Sequence, residues 1–301
     1  MSYVIKEMGR CERPLLRHVE CAIVLTMADS TRLDRPEARA LHTICRRTFV
    51  QINPGAHAGK PEWVRTSVND IVHAYKNACA FAVSMENVLI LEDDAQLMEG
   101  ATAEDFARVD AFVGNNPSFN AYSLGMFGAT YPVSLYHRRI LTGLRWPKPG
   151  GAQAVIWSPG LRRRLIETGG ASIGHLDAGF IGESPPVYVY RAPLVVQLFP
   201  ATENQKNWVF FRRNVDDRSP WACAADRAIH RWMTLLQLDR RTVAWNWIYS
   251  AQALLMPAIL LVAASSLACT PRAVRAVSAR VRHQVEPSRL GADCGRSPDL
   301  A

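Results

Sequence analysis

The chain has 301 residues, of which 49% are hydrophobic, and its formal net charge is +8. This length allows a sizeable core in one large or two small domains. The positive charge suits anionic substrates or anionic lipid surfaces, but it is not gathered on one motif, so we expect no nucleic-acid binding. The seven cysteines include no C-x-x-C pair, which argues against a zinc site and favours free thiols in a reducing compartment.

Strands and helices alternate along the first two-thirds of the sequence. Apolar runs bounded by turn residues predict strands at 21–26, 48–53, 87–91, 121–127, 152–157 and, as a pair of short strands, within 186–198. Helical spacing of apolar residues predicts helices at 36–47, 63–83 and 103–116. Ser158 as N-cap and Pro159 at the first helical position predict one more helix. This alternation indicates an α/β fold with a mostly parallel sheet.

A long uncharged segment follows in the C-terminal part of the chain. No charged residue lies between Arg241 and Arg272, and residues 243–268 are mostly apolar. A transmembrane helix needs roughly 20 such residues. Three aromatic residues at the start of the segment are typical of a membrane interface, namely Trp245, Trp247 and Tyr249. We therefore expect a transmembrane helix here, with a buried core helix as the alternative.

The expected domain order follows from these features. We predict an N-terminal extension (1–19), a main domain (20–210), a basic juxtamembrane connector (211–242), the transmembrane helix (243–268) and a basic tail (269–301). The N-terminal residues carry charges throughout and lack the apolar core of a signal peptide. We therefore expect a single-pass membrane protein whose main domain faces the cytoplasm.

An acidic triplet ends the strand predicted at 87–91. Glu92, Asp93 and Asp94 repel one another, so a fold keeps them together only if they are solvated or bound to positive charge. Alternation along an extended chain points Glu92 and Asp94 together and Asp93 away from them. The carboxyl end of an α/β strand is where ligands usually bind, and carboxylates there hold Mg²⁺ or Mn²⁺ beside substrate phosphates. A solvated turn is the alternative.

The triplet also carries a resemblance to a known family. The segment VLILEDDA resembles the hallmark strand and acidic triplet of the family 25 glycosyltransferases, the lipopolysaccharide-biosynthesis and procollagen galactosyltransferase type. Three other segments follow the order of that family: TMADSTRLDR, GGAQAVIWSPGLRRRLIE, and HLDAGFI with VYVYRAPLVVQ. The resemblance covers about 20–210. It departs from the family pattern at Leu25-Thr26, where the family has Asn-Leu, and in VRTSVND, which lacks the family's His.

The resemblance implies a GT-A-like (Rossmann-like) fold and a metal-dependent glycosyltransferase. Such an enzyme moves a sugar from a nucleotide-sugar donor to a hydroxyl of a glycan, lipid-linked or protein acceptor, here with inversion. Mn²⁺ or Mg²⁺ would neutralise charge on the leaving nucleoside diphosphate. Asp94 would contact the metal directly with help from Glu92, and Asp93 would bind the ribose or the metal through water.

The same resemblance suggests residues for the remaining roles. Asp177 would act as the base that takes the acceptor proton, with Glu183 as second choice. Arg32 and Arg35 would contact the donor phosphates, and Gly151 would let the backbone approach the substrate closely. His175, two residues before Asp177, offers one more metal ligand, although such a His is more often a surface residue. For the arginines the alternative is an exposed loop position, and for Asp177 it is a cap.

Two other functions compete with this hypothesis. A metal-dependent phosphohydrolase also uses carboxylates at strand ends, although it usually needs more of them at later strands. A non-enzymatic membrane protein with a degenerate glycosyltransferase-like domain would carry the same pattern without activity.

Overall fold

A computed structural model describes residues 3–55, 59–125, 137–139, 151–190, 193–197 and 219–235. The strands are β1 (Val4–Arg10), β2 (Cys21–Met27), β3 (Arg47–Asn53), β4 (Val88–Glu92), β5 (Ala95–Leu97), β6 (Ala121–Ser123), β7 (His137–Arg139), β8 (Ala154–Trp157), β9 (Val187–Tyr190) and β10 (Val195–Gln197). The α-helices are α1 (Pro36–Arg39), α2 (Ser67–Phe81), α3 (Ala103–Asn115), α4 (Pro159–Glu167) and α5 (Pro220–Leu235). Three short 3₁₀ turns and a π-helical turn (Leu176–Ile181) complete the described elements.

The main sheet has eight strands in the order β1-β3-β2-β4-β8-β6-β9-β7. β2 lies parallel to both β3 and β4, and β6 lies parallel to β9. β8 runs antiparallel between β4 and β6, so β6 and β9 point the same way as β4. Five strands thus share one direction, which confirms the mostly parallel α/β sheet. β1 and β7 lie antiparallel at the two edges.

Helices cover both faces of this sheet because the central strands are apolar on both sides. Val88 and Ile90 of β4 face one core, which includes residues of α2 and α4: Val72, Tyr75, Leu161 and Leu165. Leu89 and Leu91 face a second core, which includes residues of α3: Phe106, Val109 and Val113. A strand buried on both faces carries a continuous apolar run. Helices therefore pack on both faces of the sheet at β4, the strand that leads into the acidic triplet.

A small second sheet lies directly after the triplet. β10 pairs antiparallel with β5, with Gln197 opposite Ala95. The amides of Leu194 and Val195 both donate to the carbonyl oxygen of Leu124. A side chain at Gly125 would overlap the carbonyl oxygen of Val195, so this close approach requires glycine.

Several boundaries and three strands differ from the sequence predictions, since β5 and β7 were not predicted and neither was β1. β1 was not predicted; it lies within residues assigned to an N-terminal extension and pairs with β3. The helix predicted at 36–47 consists of α1 and a 3₁₀ turn, Ala40–Thr43, because β3 already begins at Arg47. The predicted N-cap of α4 is confirmed, since Ser158 Oγ accepts a hydrogen bond from the amide of Leu161 at 3.2 Å.

The membrane prediction falls outside what the structure describes. Within the described ranges, no helix combines the length and the apolar character needed to span a bilayer. The predicted transmembrane segment, 243–268, and the tail lie beyond those ranges. The described cysteines are free thiols, and Cys21, Cys45 and Cys79 are buried.

Candidate functional site

The acidic triplet lies where β4 leaves the sheet between β2 and β8. Glu92 is the last residue of β4, and Asp93 and Asp94 form the turn that leads into β5. The turn is largely covered, since Asp93 is 9% exposed and Asp94 is 6% exposed. The expected alternative, a solvated turn, is therefore wrong for these two aspartates.

Asp93 is held by the loop that follows β2. Its carboxylate accepts hydrogen bonds from Thr26 Oγ1 at 2.8 Å and from Ser30 Oγ at 2.6 Å. Arg32 Nη1 forms a salt bridge with Asp93 Oδ1 at 2.8 Å, with both side chains mostly buried. The structure thus brings two predicted donor-binding residues, Arg32 and Asp93, into contact with each other. Asp93 fixes the conformation of this loop, and Arg32 supplies the compensating positive charge.

Glu92 has a neutral partner instead. The hydroxyl of Tyr75, a fully buried residue of α2, lies 3.1 Å from Glu92 Oε1 and 2.8 Å from the carbonyl oxygen of Ala152. Burial and the nearby charge of Asp94 raise the pKa of Glu92 from 4.5 to about 8. Burial, with the charge of Glu92 as the next cause, raises the pKa of Tyr75 well above its ordinary value.

Asp94 is oriented from the second sheet. Gln197 at the end of β10 donates from Nε2 to Asp94 Oδ2 at 3.0 Å. Burial raises the pKa of Asp94 from 3.8 to about 7, against the opposing effect of this hydrogen bond. The other oxygen, Asp94 Oδ1, is buried and has no hydrogen-bond partner among the described residues. A buried carboxylate oxygen without a donor favours a positively charged ligand.

Asp177 lies in the π-helical turn. The carbonyl oxygen of Asp177 accepts from the amide of Gly182 at 2.8 Å, and the amide of Gly151 donates to Asp177 Oδ2 at 2.8 Å. Gly151 has φ +95°, a conformation that favours glycine. The charge of Asp177 also contributes to the raised pKa of Glu92. Asp177 and the triplet therefore belong to one electrostatic site, and such π-helical turns are frequent at functional sites.

Gln153 connects these groups, although no sequence pattern singled it out. Its carbonyl oxygen accepts from the amide of Glu92 at 3.0 Å, and its side chain is next to Gly151. Its Nε2 donates to the carbonyl oxygen of Gly125. Its Oε1 is buried without a partner in the part of the chain that the structure describes.

The site therefore gathers six of the predicted residues and three that were missed. Glu92, Asp93, Asp94, Arg32, Gly151 and Asp177 are connected by the contacts and charge interactions above. Arg35, Glu183 and His175 are exposed, and their functional roles stay predictions. The missed residues are Tyr75, Gln153 and Gln197. One sequence signal could have indicated them: each carries a polar group within an otherwise apolar segment, as Gln153 does in AQAVIW.

The side chains of the site fit a hard divalent cation that receives other ligands from a substrate. No group of three or more His, Cys, Asp or Glu side chains in the described ranges is arranged to hold a metal by itself. Mg²⁺ commonly binds through only one or two carboxylates and completes its shell with water and substrate phosphates. The partnerless oxygen of Asp94 beside Glu92 supplies that kind of donor set.

Comparisons with known proteins complete the description of the site. Neither the known protein families nor the curated proteins contain a match to the sequence, so the resemblance to family 25 stays a prediction. Among similar solved structures, A197 from STIV is 10% identical, with a TM-score of 0.36 over 59% of this chain and 83% of that one. A glycosyltransferase involved in the glycosylation of the major capsid of PBCV-1 is 9% identical, with a TM-score of 0.33 over 60% of this chain and 96% of that one.

A third similar structure is mannose-1-phosphate geranyltransferase from Thermus thermophilus. It is 13% identical, with a TM-score of 0.28 over 67% of this chain and 81% of that one. At these TM-scores the likenesses carry no argument about function, which rests instead on the side chains of the site.

Proposed function

We propose that the protein is a metal-dependent, inverting glycosyltransferase of GT-A-like fold that uses a nucleotide-sugar donor. The observation that carries this proposal is the pair of carboxylates at the carboxyl end of a central strand, the partly buried Glu92 and the buried Asp94. Their hydrogen-bond partners, Tyr75 and Gln197, are neutral, and no ion pair to either carboxylate occurs within the described ranges. Two adjacent, largely buried carboxylates without a cation are unfavourable, so the site favours a divalent ion.

Asp94 and Glu92 would hold Mn²⁺ or Mg²⁺. Asp94 offers its partnerless Oδ1, while Gln197 fixes the orientation of its other oxygen. Tyr75 orients Glu92 through its hydroxyl. When bound, the ion would neutralise charge on the diphosphate that leaves the sugar. The protein's contribution is to keep both carboxylates in place before the donor arrives.

Asp177 would accept the proton of the acceptor hydroxyl. The hydrogen bond from the amide of Gly151 fixes its Oδ2 and therefore the direction of the whole carboxylate. A base held in one orientation favours inversion, because the acceptor must approach opposite to the departing diphosphate. Glu183 is exposed shortly after this turn and remains the second choice.

The loop after β2 would meet the donor's nucleotide end. Arg32 is already paired with Asp93, so this pair would act as a unit, with Asp93 holding the arginine while donor phosphates approach. Arg35 is exposed in the same loop and is proposed as a second phosphate contact. The acceptor would be a hydroxyl of a glycan, a lipid-linked sugar or a protein.

The test is donor binding and donor hydrolysis by the full chain. UDP-, GDP- and CMP-sugars are screened with and without Mn²⁺, for wild type, Asp94→Asn and a matched control, Asp110→Asn. Asp110 is also a buried aspartate, but Oδ1 already accepts from the amides of Arg17 and His18 at 2.6 and 2.7 Å. We expect Mn²⁺-dependent binding of one donor class, lost in Asp94→Asn and retained in Asp110→Asn.

The products separate the competing functions. Release of a nucleoside diphosphate from the donor supports glycosyl transfer, whereas release of inorganic phosphate from simple phosphomonoesters would indicate a phosphohydrolase. Absence of both binding and turnover in the wild type would contradict the proposal and favour the non-enzymatic alternative.

A further inference from the structure

We infer that Gln153 recognises the donor's sugar by accepting a hydrogen bond from one of its hydroxyl groups through Oε1. The inference rests on the proposed function and adds a specificity-determining residue to it. Gln153 lies directly before β8. Leu91 of β4 pairs with Ala154 of β8 in antiparallel register. Extending this register by one residue places Gln153 opposite Glu92. The amide of Glu92 donates to its carbonyl oxygen.

The side chain of Gln153 has one fixed orientation. Its Nε2 donates to the carbonyl oxygen of Gly125, a bond that only the amide nitrogen can make. Its Oε1 therefore points the other way, toward Gly151, where a methyl group in place of the glycine hydrogen would overlap it. Gly151 in turn binds the carboxylate of Asp177. The oxygen thus lies beside Gly151, which holds the proposed base, and the backbone of the same glutamine contacts Glu92 of the proposed metal site.

This oxygen lacks the hydrogen bond that a buried amide oxygen usually accepts, as does the buried Oε1 of the partly exposed Gln96. Gln153 is 3% exposed, and Oε1 has no hydrogen-bond partner in the described ranges. Gln51, another buried glutamine, shows the usual arrangement. Its Nε2 donates to the carbonyl of Ala74 at 2.9 Å, and its Oε1 accepts from Asn77 Nδ2 at 2.9 Å. Both glutamines donate to a backbone carbonyl, but only Gln51 has its oxygen satisfied by the described part of the protein.

The chemistry of Oε1 selects the group that it would bind. An amide oxygen only accepts hydrogen bonds, so ionised phosphate oxygens, which also only accept, are poor partners. Sugar hydroxyls donate, and the sugar ring must lie between the diphosphate held near Asp94 and the base Asp177. Gln153 contacts Glu92 through its backbone and lies beside Gly151, the residue that binds Asp177. An ordered water is another donor that could bind this oxygen, and it differs from a sugar hydroxyl because it remains when the sugar is absent.

The experiment compares nucleotide-sugars with the same nucleotides lacking the sugar. Binding of UDP-glucose, UDP-galactose, GDP-mannose, UDP and GDP is measured calorimetrically with Mn²⁺, for full-length wild type, Gln153→Met and the control Gln51→Met. We expect Gln153→Met to weaken binding of the preferred nucleotide-sugar by about tenfold, the effect of losing one buried hydrogen bond. Its binding of the nucleoside diphosphate stays unchanged. Gln51→Met changes neither affinity, although it removes a comparable amide.

A second variant covers the case in which Gln153→Met does not fold. Gln153→Asn keeps the amide but shortens its reach, and the same separation between sugar and nucleotide affinities is expected. Equal affinities in wild type and variant, or equal weakening of nucleotide and nucleotide-sugar, would overturn the role of Gln153 in sugar recognition. If wild type binds no donor in the screen of UDP-, GDP- and CMP-sugars, the proposed function itself fails, and the inference fails with it.

Discussion

At the scale of single residues, the site is defined by how each carboxylate of the triplet obtains its partners. Among the residues that the structure describes, two hydroxyls and a guanidinium donate to Asp93, whereas one neutral side chain donates to each of Glu92 and Asp94. Adjacent residues of one turn therefore differ in charge compensation. This difference supports the proposal that Asp93 positions the loop and that the other two carboxylates bind a cation.

The raised pKa values of Glu92 and Asp94 predict how stability depends on pH in the metal-free protein. Between about pH 4 and about pH 8 the folded state keeps protons that the unfolded state has released, so the free energy of unfolding falls as pH rises. Urea unfolding in EDTA at several pH values measures this fall. Asp94→Asn should make the fall smaller and should stabilise the protein near pH 8. An unchanged pH dependence in the variant would contradict the assignment.

The salt bridge between Arg32 and Asp93 predicts a coupled pair of substitutions. Arg32→Met should lower the free energy of unfolding by about 2 kcal/mol, because it removes a charged hydrogen bond and leaves a buried carboxylate. In an Asp93→Asn background, Arg32→Met should lower the free energy of unfolding by a clearly smaller amount. Chemical denaturation of the four proteins gives the coupling energy. Additive effects would show that the arginine stabilises the loop through other contacts.

Residues that belong to a motif were predictable, and those that complete the site were not. The triplet and Asp177 could be chosen because their type and position carry chemistry. Tyr75, Gln153 and Gln197 come from three separate elements, and nothing local in the sequence links them. Their roles depend on cross-strand register and on the pairing of β5 with β10, which are long-range properties.

At the scale of elements, α2 and α4 are joined by one lysine. Lys76 on α2 donates to the carbonyl oxygens of Leu165 and Ile166 at 3.0 and 2.8 Å, and also to that of Thr168. These carbonyls end α4, where a positive charge is favourable.

Replacing Lys76 tests whether it stabilises the C-terminal end of α4 and its contact with α2. Lys76→Met should lower the free energy of unfolding by about 1–2 kcal/mol, because the last carbonyls of α4 lose their donor. Arg163→Met is the matched control, since Arg163 is exposed on α4 and binds the carbonyl of Pro159 near its start. Equal losses in thermal or urea unfolding would argue against the capping role.

The long elements were predicted because their local patterns agree with their environment. β2, β3, β4 and β8 are short apolar runs, and α2 and α3 bury one face. β1 was missed because it is a largely accessible edge strand, with Glu7 and Arg10 on its surface. The antiparallel direction of β8 could not be predicted from its own residues, because strand direction depends on the connections between strands.

At the scale of the whole molecule, the apolar segment 243–268 predicts membrane association. The full chain should float with vesicles of neutral phosphatidylcholine, where its positive charge gives no attraction. Replacing Leu255 and Leu260 together with arginine should reduce flotation, since each arginine in the centre of a bilayer helix costs roughly 2.5–3.5 kcal/mol. A wild-type chain that stays at the bottom of the gradient would contradict the prediction.

The pairing of β5 with β10 has a consequence for how the protein is made. Gln197 is synthesised 103 residues after its partner Asp94, and at roughly 5–20 residues per second this corresponds to about 5–20 seconds. During that time the nascent chain already contains β4 and its carboxylates but lacks the strand that orients Asp94. The proposed metal site thus becomes complete only after all eight described strands of the main sheet have been synthesised. A chain truncated before Val195 would contain the acidic triplet but would lack the strand that orients Asp94.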